Sequence, residues 1–320
     1  MTYVLGIDGG GTKTICILMD DTAKVLGRGE AGASNYQTIG IEATLQSIQS
    51  AILSAIASAQ TNTIRVEAIC LGLAGVGRAD DIAVVKGLVQ ELQNSILLPI
   101  NWALQPSNVV ICHDALIALV GGVGEPVGIV VAAGTGSIVF GRNHQGDTKR
   151  VGGWGHILGD EGGAYKIAVA GMQAALKAYD GREMSTSLVD DFQQYFNLAS
   201  IEDLVEVIYR REWGVKEIAA LAPIVDGAAA KGDEVASKII EEAVQDLVKA
   251  TCTVIDAIFS PESVFEVVTT GSVWQGTAKM HEKFAASVVK SFPLAKVIFP
   301  RYEPAFGAGL LALNRDICNS

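Results

Sequence analysis

The chain has 320 residues, of which 49% are hydrophobic and 18% charged, and its formal net charge is -11. This composition supports folded cores rather than disorder, and the length exceeds one small core, so two domains of ordinary size are expected. The negative balance argues against nucleic acid as the main partner, because that needs clustered Lys and Arg. It leaves nucleotides open, since backbone N–H groups and a metal ion can hold their phosphates.

Tyr3 to Asp8, Thr14 to Met19 and Val25 to Ala31 are β-prone runs separated by turn residues, which predicts three strands joined by hairpins. Leu45, Ile48, Ile52 and Ile56 share a helical face. Val66 to Leu73 reads as a buried strand ending at Gly72 and Gly75, and Asp80 as the cap of a helix running through Leu92. Val109 to Cys112 is a short strand with His113 and Asp114 at its end. The pattern then restarts: Gly128 to Ala133 is a strand, Gly134-Thr135-Gly136 a turn, and Ser137 to Gly141 a strand. Strand, Gly/Thr-rich turn, strand therefore occurs twice, which reads as an internal duplication. Glu161 to Phe259 is mostly helical, with a capping pattern at Ser200-Ile201-Glu202-Asp203. Phe265 to Thr269 and Ala295 to Phe299 are late strands, and Ala308 to Asn314 a final helix.

Cysteines stand at 16, 70, 112, 252 and 318, widely spaced and without a CxxC pair. A disulfide framework or structural zinc site is not expected, and a reducing cytoplasm fits. The residues from Met1 to Gly6 lack the basic start and apolar stretch of a signal peptide. Leu119 to Gly141 is apolar but broken by Glu125-Pro126 and glycines, so no membrane span is expected.

Four runs could carry chemistry. Asp8-Gly9-Gly10-Gly11-Thr12-Lys13-Thr14 is neither a dinucleotide fingerprint, since a β-branched strand follows it, nor a Walker A loop, since Thr12-Lys13 replaces the required order. Its backbone N–H groups at Gly10 and Gly11 can still face a phosphate, with Thr12 adding a hydroxyl and Lys13 charge. Asp8 could hold the water shell of Mg²⁺. An ordinary hairpin is the competing reading. Gly134-Thr135-Gly136-Ser137 offers a second phosphate turn by the same logic, or a structural turn. Asp114, where a buried strand ends, is either a general base or a helix N-cap. His113 and Cys112 read as core or supporting groups. Gly152 to Gly163 packs six glycines around Trp154, His156, Asp160 and Glu161. Acidic groups and Trp faces suit a sugar, and Asp160 is read as the ligand-binding acid. A glycosidase-like carboxylate pair is disfavoured because adjacent side chains point apart.

Together these runs resemble the actin-like ATPase superfamily, and more narrowly the BadF/BadG/BcrA/BcrD ATPase family with its N-acetylglucosamine kinases. The resemblance rests on GIDGGGTKT at 6–14, SNY at 34–36, HDA at 113–115, AGTGS at 133–137, GGWGHILGDEGGAY at 152–165, TTGSVW at 269–274 and AFGAGLLA at 305–312. It implies an α/β fold of two ribonuclease H-like domains, each a mixed sheet flanked by helices, with ATP in the interdomain cleft. The first domain would span 1–115 and regain a C-terminal helix at about 305–320, and the second would span 116–304. It implies that Asp114 is the catalytic base and also touches the sugar. Asn35, Ser137, Gly153, Trp154, Gly155 and Asp160 would bind the amino sugar, and Thr12 and Thr135 phosphate. Ala219, Gly271, Ser272 and Gly276 would hold the nucleoside. Ile138 departs from the pattern, since animal N-acetylglucosamine kinases carry Asn there.

The expected activity is transfer of the γ-phosphoryl group of MgATP to a hydroxyl, the 6-hydroxyl for preference, of N-acetylglucosamine or a related amino sugar. Glucosamine and muramic-acid derivatives are alternative acceptors. The other classes are an activator ATPase of a CoA-ester dehydratase or reductase, which would need clustered Cys for an iron–sulfur cluster, and a non-catalytic sugar sensor. Neither nucleic acid nor membrane is an expected partner, and a homodimer is allowed.

Overall fold

The structure, a computed structural model, describes residues 3–59, 64–210 and 213–314. Met1, Thr2, Cys318 and the last residues of the expected C-terminal helix lie outside these. The chain forms two compact units: Met1–Gly128 with His144–Gly146 and Pro300–Ser320, and Ile129–Asn143 with Asp147–Phe299.

In the first unit, β1 (Tyr3–Gly9), β2 (Thr14–Asp20) and β3 (Val25–Ala31) form an antiparallel meander. After the short α1 (Tyr36–Ile39) and α2 (Ile41–Ser58), β4 (Ile64–Leu73) lies parallel to β1. The chain continues through α3 (Ala79–Asn94), β5 (Ile100–Trp102), β6 (Val109–His113) and α4 (Asp114–Val123), with β5 and β6 both parallel to β4. β5 carries only three residues and no periodicity, which is why the sequence did not announce it.

Both faces of this sheet are covered. α2 buries Ile48, Ile52 and Ile56, as its spacing predicts. It approaches closely because Gly27 and Gly29 of β3 have no side chain: a Cβ there would overlap the carbonyls of Ala55 and Ala51. On the other face, Ala305, Ala308, Leu311 and Ala312 of the C-terminal helix (Pro304–Leu313) pack with Ile117 and Val120 of α4. The first unit therefore runs on to Gly128 rather than ending near residue 115, since α4 shares a core with that helix. Gly72 lies inside β4 and does not end it; Ile117 occupies the space a side chain would need.

The second unit repeats the plan. β7 (Gly128–Ala133), β8 (Ser137–Arg142) and β9 (Thr148–Gly152) are followed by a helical layer. That layer comprises α5 (Ala164–Tyr179), α6 (Leu188–Phe196), α7 (Leu204–Arg210), α8 (Val215–Ala219), α9 (Ala222–Ala230) and α10 (Glu234–Ile258). β10 (Phe265–Thr270), α11 (Met280–Ser291) and β11 (Ala295–Ile298) complete it. The strand order β11-β10-β7-β8-β9 mirrors β3-β2-β1-β4-β5 in kind: two successive strands flank the first, and parallel strands extend its other side. Ser200 caps its segment as its sequence predicts, accepting from the Glu202 N–H at 3.3 Å.

Candidate functional site

In the first unit, register aligns three strand ends. Asp8 lies opposite Gly72, and Gly72 opposite Cys112; Gly9 pairs with Leu73, and Leu73 with His113. Asp8 and Asp114 thus leave the sheet at the carboxyl ends of parallel strands, the edge where α/β folds place their ligands. A side chain at Gly9 would overlap Leu73 and Ser34. The following turn closes through the Gly10 N–H, which donates to Lys13 O at 2.9 Å. It is tied down by the Ser34 N–H on Gly10 O at 3.0 Å and by the buried Thr14 hydroxyl, 2.7 Å from Gly32 O. Gly11, Thr12 and Lys13 are exposed, and a Cβ at Gly11 would meet nothing within 4 Å. Packing therefore does not demand glycine at position 11.

Burial pushes the Asp8 carboxyl up to about 7, with the Asp114 and Glu303 charges adding and Lys13 opposing. Asp114 is the first residue of α4, not its cap. His113 is the cap, its Nδ1 accepting from the Leu116 N–H at 3.2 Å. The reading of Asp114 as the N-cap is thus not met, and His113, read from sequence as a core or supporting group, takes that place. Asn35 caps α1, with Oδ1 accepting from the Gln37 N–H at 3.1 Å. Its neighbour Tyr36 donates to Asp81, which also accepts from the Arg78 N–H at 2.8 Å and the Gly77 N–H at 3.1 Å. These bonds, Tyr36 foremost, hold the Asp81 carboxyl down at about 2. Asp80, the expected cap of α3, is exposed in the first turn, and Asp81 serves that helix start instead.

In the second unit, the turn after β7 is built onto a helix start. The carbonyls of Gly134 and Thr135 accept from the N–H groups of Ala164 and Tyr165 at 2.8 and 3.0 Å. α5 therefore begins at Ala164, later than the Glu161 read from sequence, because two of its unpaired amides are needed there. Gly136 is required by contact: the Asp160 carboxylate occupies the space of its missing side chain, and a Cβ at Gly163 would lie 2.8 Å from Gly136 C. Asp160 adopts φ 63°, a left-handed conformation that Asp tolerates better than most residues. It accepts from the Gly155 N–H at 3.1 Å. Burial raises its pKa, with the Gly155 N–H opposing and the Glu161 charge adding.

The Ser137 hydroxyl donates to Glu161 O at 2.6 Å, which leaves its lone pairs to accept from a ligand. It ties β8 to the Gly-rich loop. Gly153 lies over Ile138, 2.9 Å from that side chain at its Cβ position. In the same loop Trp154, Ile157 and Leu158 are 67%, 78% and 81% exposed, an apolar surface displayed outward rather than packed. Arg150 sits 4.9 Å over the Trp154 ring and donates to Gly152 O and Gly153 O. β9, which carries Arg150, was not foreseen from sequence; its adjacent charges Lys149 and Arg150 hide a strand.

A cavity of about 420 Å³ in this unit is lined by Ala219, Ser272, Gly276, Asp226 and Ile167, among others. It falls within the size range of small-molecule sites. Three of the four residues assigned to the nucleoside meet there. The fourth, Gly271, stands outside the lining and does a different job. Its φ is 108°, and a Cβ would lie 2.9 Å from Gly134 N, so it packs the end of β10 against the Gly134 turn. Sequence reasoning missed Asp226, the lone charge in the Ala-rich α9.

Among the described residues, no group of three or more His, Cys, Asp or Glu side chains is placed to hold a metal ion. Cys16 and Cys70 are buried in the first sheet, Cys112 lies in β6 and Cys252 on α10. Among the described residues no helix is long and apolar enough to cross a membrane.

Two mixed sheets flanked by helices, with Gly-rich turns at their strand ends, give the chain the fold of the actin-like ATPases. Residues 5–312 match the BadF/BadG/BcrA/BcrD ATPase family, and the chain belongs to that family. It is 34% identical over 312 residues to the N-acetylmuramic acid/N-acetylglucosamine kinase of Clostridium acetobutylicum, covering 98% of each chain. It is 31% identical to the N-acetyl-D-glucosamine kinase of Dictyostelium discoideum, covering 97% of each. A crystal structure from Chromobacterium violaceum, described provisionally as an N-acetylglucosamine kinase, superposes with a TM-score of 0.74 at 25% identity. It matches 97% of this chain and 98% of that one.

Proposed function

We propose that this chain is an ATP-dependent sugar kinase of the cytoplasm. It transfers the γ-phosphoryl group to a hydroxyl, the 6-hydroxyl in our reading, of N-acetylglucosamine or a near relative. The observation that carries the proposal is the end-to-end similarity to two kinases of N-acetylated amino sugars.

The residues divide the work. In the first unit, Asp114 accepts the proton of the attacking hydroxyl, since its carboxylate is not used in capping α4. Asn35 contacts sugar, and Gly10, Gly11, Thr12 and Lys13 present N–H groups, a hydroxyl and charge to phosphate. In the second unit, Gly134, Thr135 and Gly136 hold phosphate, and Ala219, Ser272 and Gly276 the nucleoside, with Gly271 shaping the turn. Gly153, Trp154, Gly155 and Asp160 hold sugar, and Ser137 supports their loop. Catalysis then consists of positioning and charge stabilisation.

The substrate is MgATP. Asp8 fits its metal through water, because a carboxylate that burial and Asp114 hold at about 7 regains its charge beside a dication. The ion neutralises phosphate charge when bound.

A coupled ADP-release assay over N-acetylglucosamine, N-acetylmuramic acid, glucosamine and glucose tests the reading. Turnover is expected with at least one N-acetylated sugar. No turnover with any of the four overturns it.

A further inference from the structure

α9 carries a single charged side chain, Asp226, in the run APIVDGAAA. Three donors of one short segment converge on it. The Thr277 N–H and hydroxyl lie 2.6 and 2.7 Å from Oδ2, and the Ala278 N–H 3.0 Å from Oδ1. The preceding residue, Gly276, lacks the side chain that would overlap this carboxylate. The segment follows the short 3₁₀ turn Ser272–Gln275, whose closing bond from the Gly276 N–H to Val273 O is long at 3.5 Å. Bonds to an ionised carboxylate are roughly twice as strong as neutral ones, so the three converging on Asp226 outweigh that closure. At its other end the turn is anchored by the buried Trp274, whose Nε1–H donates to Val131 O at 3.2 Å. Asp226, Ser272, Gly276 and Thr277 all line the 420 Å³ cavity.

We infer that Asp226 is the positioning residue for nucleotide binding. It fixes the Ser272–Thr277 wall so that the cavity is shaped before a nucleoside enters. This rests on the reading of that cavity as the nucleoside pocket. Without Asp226 the Gly276–Thr277 end of the wall, held by one long turn bond, would have to be ordered at the moment of binding, and that cost would appear in nucleotide affinity. The sugar residues lie on other segments, so their affinity should not follow.

The test uses the full chain, with ADP as probe. Asp226→Asn replaces one acceptor oxygen by an NH₂ that faces donors, and Thr277→Val removes the hydroxyl alone. Calorimetry should give an ADP Kd about tenfold higher for Asp226→Asn and about threefold higher for Thr277→Val, in line with one or two lost hydrogen bonds. KM for ATP should rise in parallel, while kcat at saturating ATP and KM for sugar stay near the unaltered values. A loss confined to kcat, or spread equally over both KM values, overturns the inference. So does unchanged ADP affinity in both variants. If the unaltered chain does not bind ADP, the nucleotide reading falls and takes this inference with it. If Asp226→Asn does not fold, Thr277→Val decides.

Discussion

The two Gly-rich turns have nearly the same sequence logic but are supported differently. The turn after β1 hangs from backbone bonds at its edges and leaves Gly11, Thr12 and Lys13 exposed. The turn after β7 is packed from behind: its carbonyls sit on the first amides of α5, and Asp160 and Gly163 press on Gly136. Charge is distributed the other way. The first unit gathers Asp114 and Glu303 around Asp8 with Lys13 opposing, whereas the second offers shape and an exposed Trp154. The lesson is that a duplicated turn can keep its backbone role while one copy specialises in electrostatics and the other in rigidity.

The largest expected effect tests the charged side of that division. Asp114→Asn should lower kcat by a factor of about 10² or more, the usual scale of a general base. The fold should hold, because the cap of α4 is His113 and remains. Turnover within a few-fold of the unaltered chain would remove Asp114 from the chemistry.

Asp8→Asn should stabilise the ligand-free protein, and the sign follows from the direction of its shift. The folded chain holds the Asp8 proton to about 7, against an ordinary 3.8, so its contribution is intact below pH 4 and is lost as pH rises through 7. That gap sets a ceiling of about 4 kcal/mol, and water reaching the partly exposed carboxylate reduces it to about 2. The variant's gain in thermal midpoint should therefore be large at pH 8 and vanish near pH 4. A pH-independent difference between the two proteins would rule out this cause.

Gly136→Ala tests the packed side. The added methyl overlaps the Asp160 carboxylate, so the expected cost is about 1–3 kcal/mol of stability, the scale of overpacking. Weaker sugar binding should accompany it, because Asp160 must move. Gly134→Ala is the control: a Cβ there meets nothing within 4 Å, so its midpoint should hold. Equal destabilisation of both would mean that the second turn is not supported as described.

Much of this was legible in the sequence because it depends on local pattern. The three first strands, α2 and the Ser200 cap follow from periodicity and capping chemistry, and the duplication from two strand–turn–strand runs. What was not legible depends on partners distant in the chain. Whether Gly72 ends a strand is decided by Ile117, and which acid serves α3 is decided by Tyr36 bonding to Asp81. That the Ser137 proton goes to Glu161 O, 24 residues on, is likewise a matter of distant partners. Asp226 could have been flagged, since a lone acid in an apolar helix needs donors from elsewhere.

The smallest structural effect is the sharpest test of what the first turn does. Gly11 has neither a left-handed φ nor a neighbour that a methyl would meet. Folding alone therefore gives no reason for glycine, and Gly11→Ala should leave the thermal midpoint unchanged or stabilise by under about 1 kcal/mol. If the backbone at Gly11 approaches a phosphate, the methyl intrudes only when nucleotide is bound, and KM for ATP should rise about tenfold with stability intact. A variant that keeps both its midpoint and its KM would leave Gly11 without a role in either. The phosphate contact would then rest on Gly10, Thr12 and the more rigid second turn.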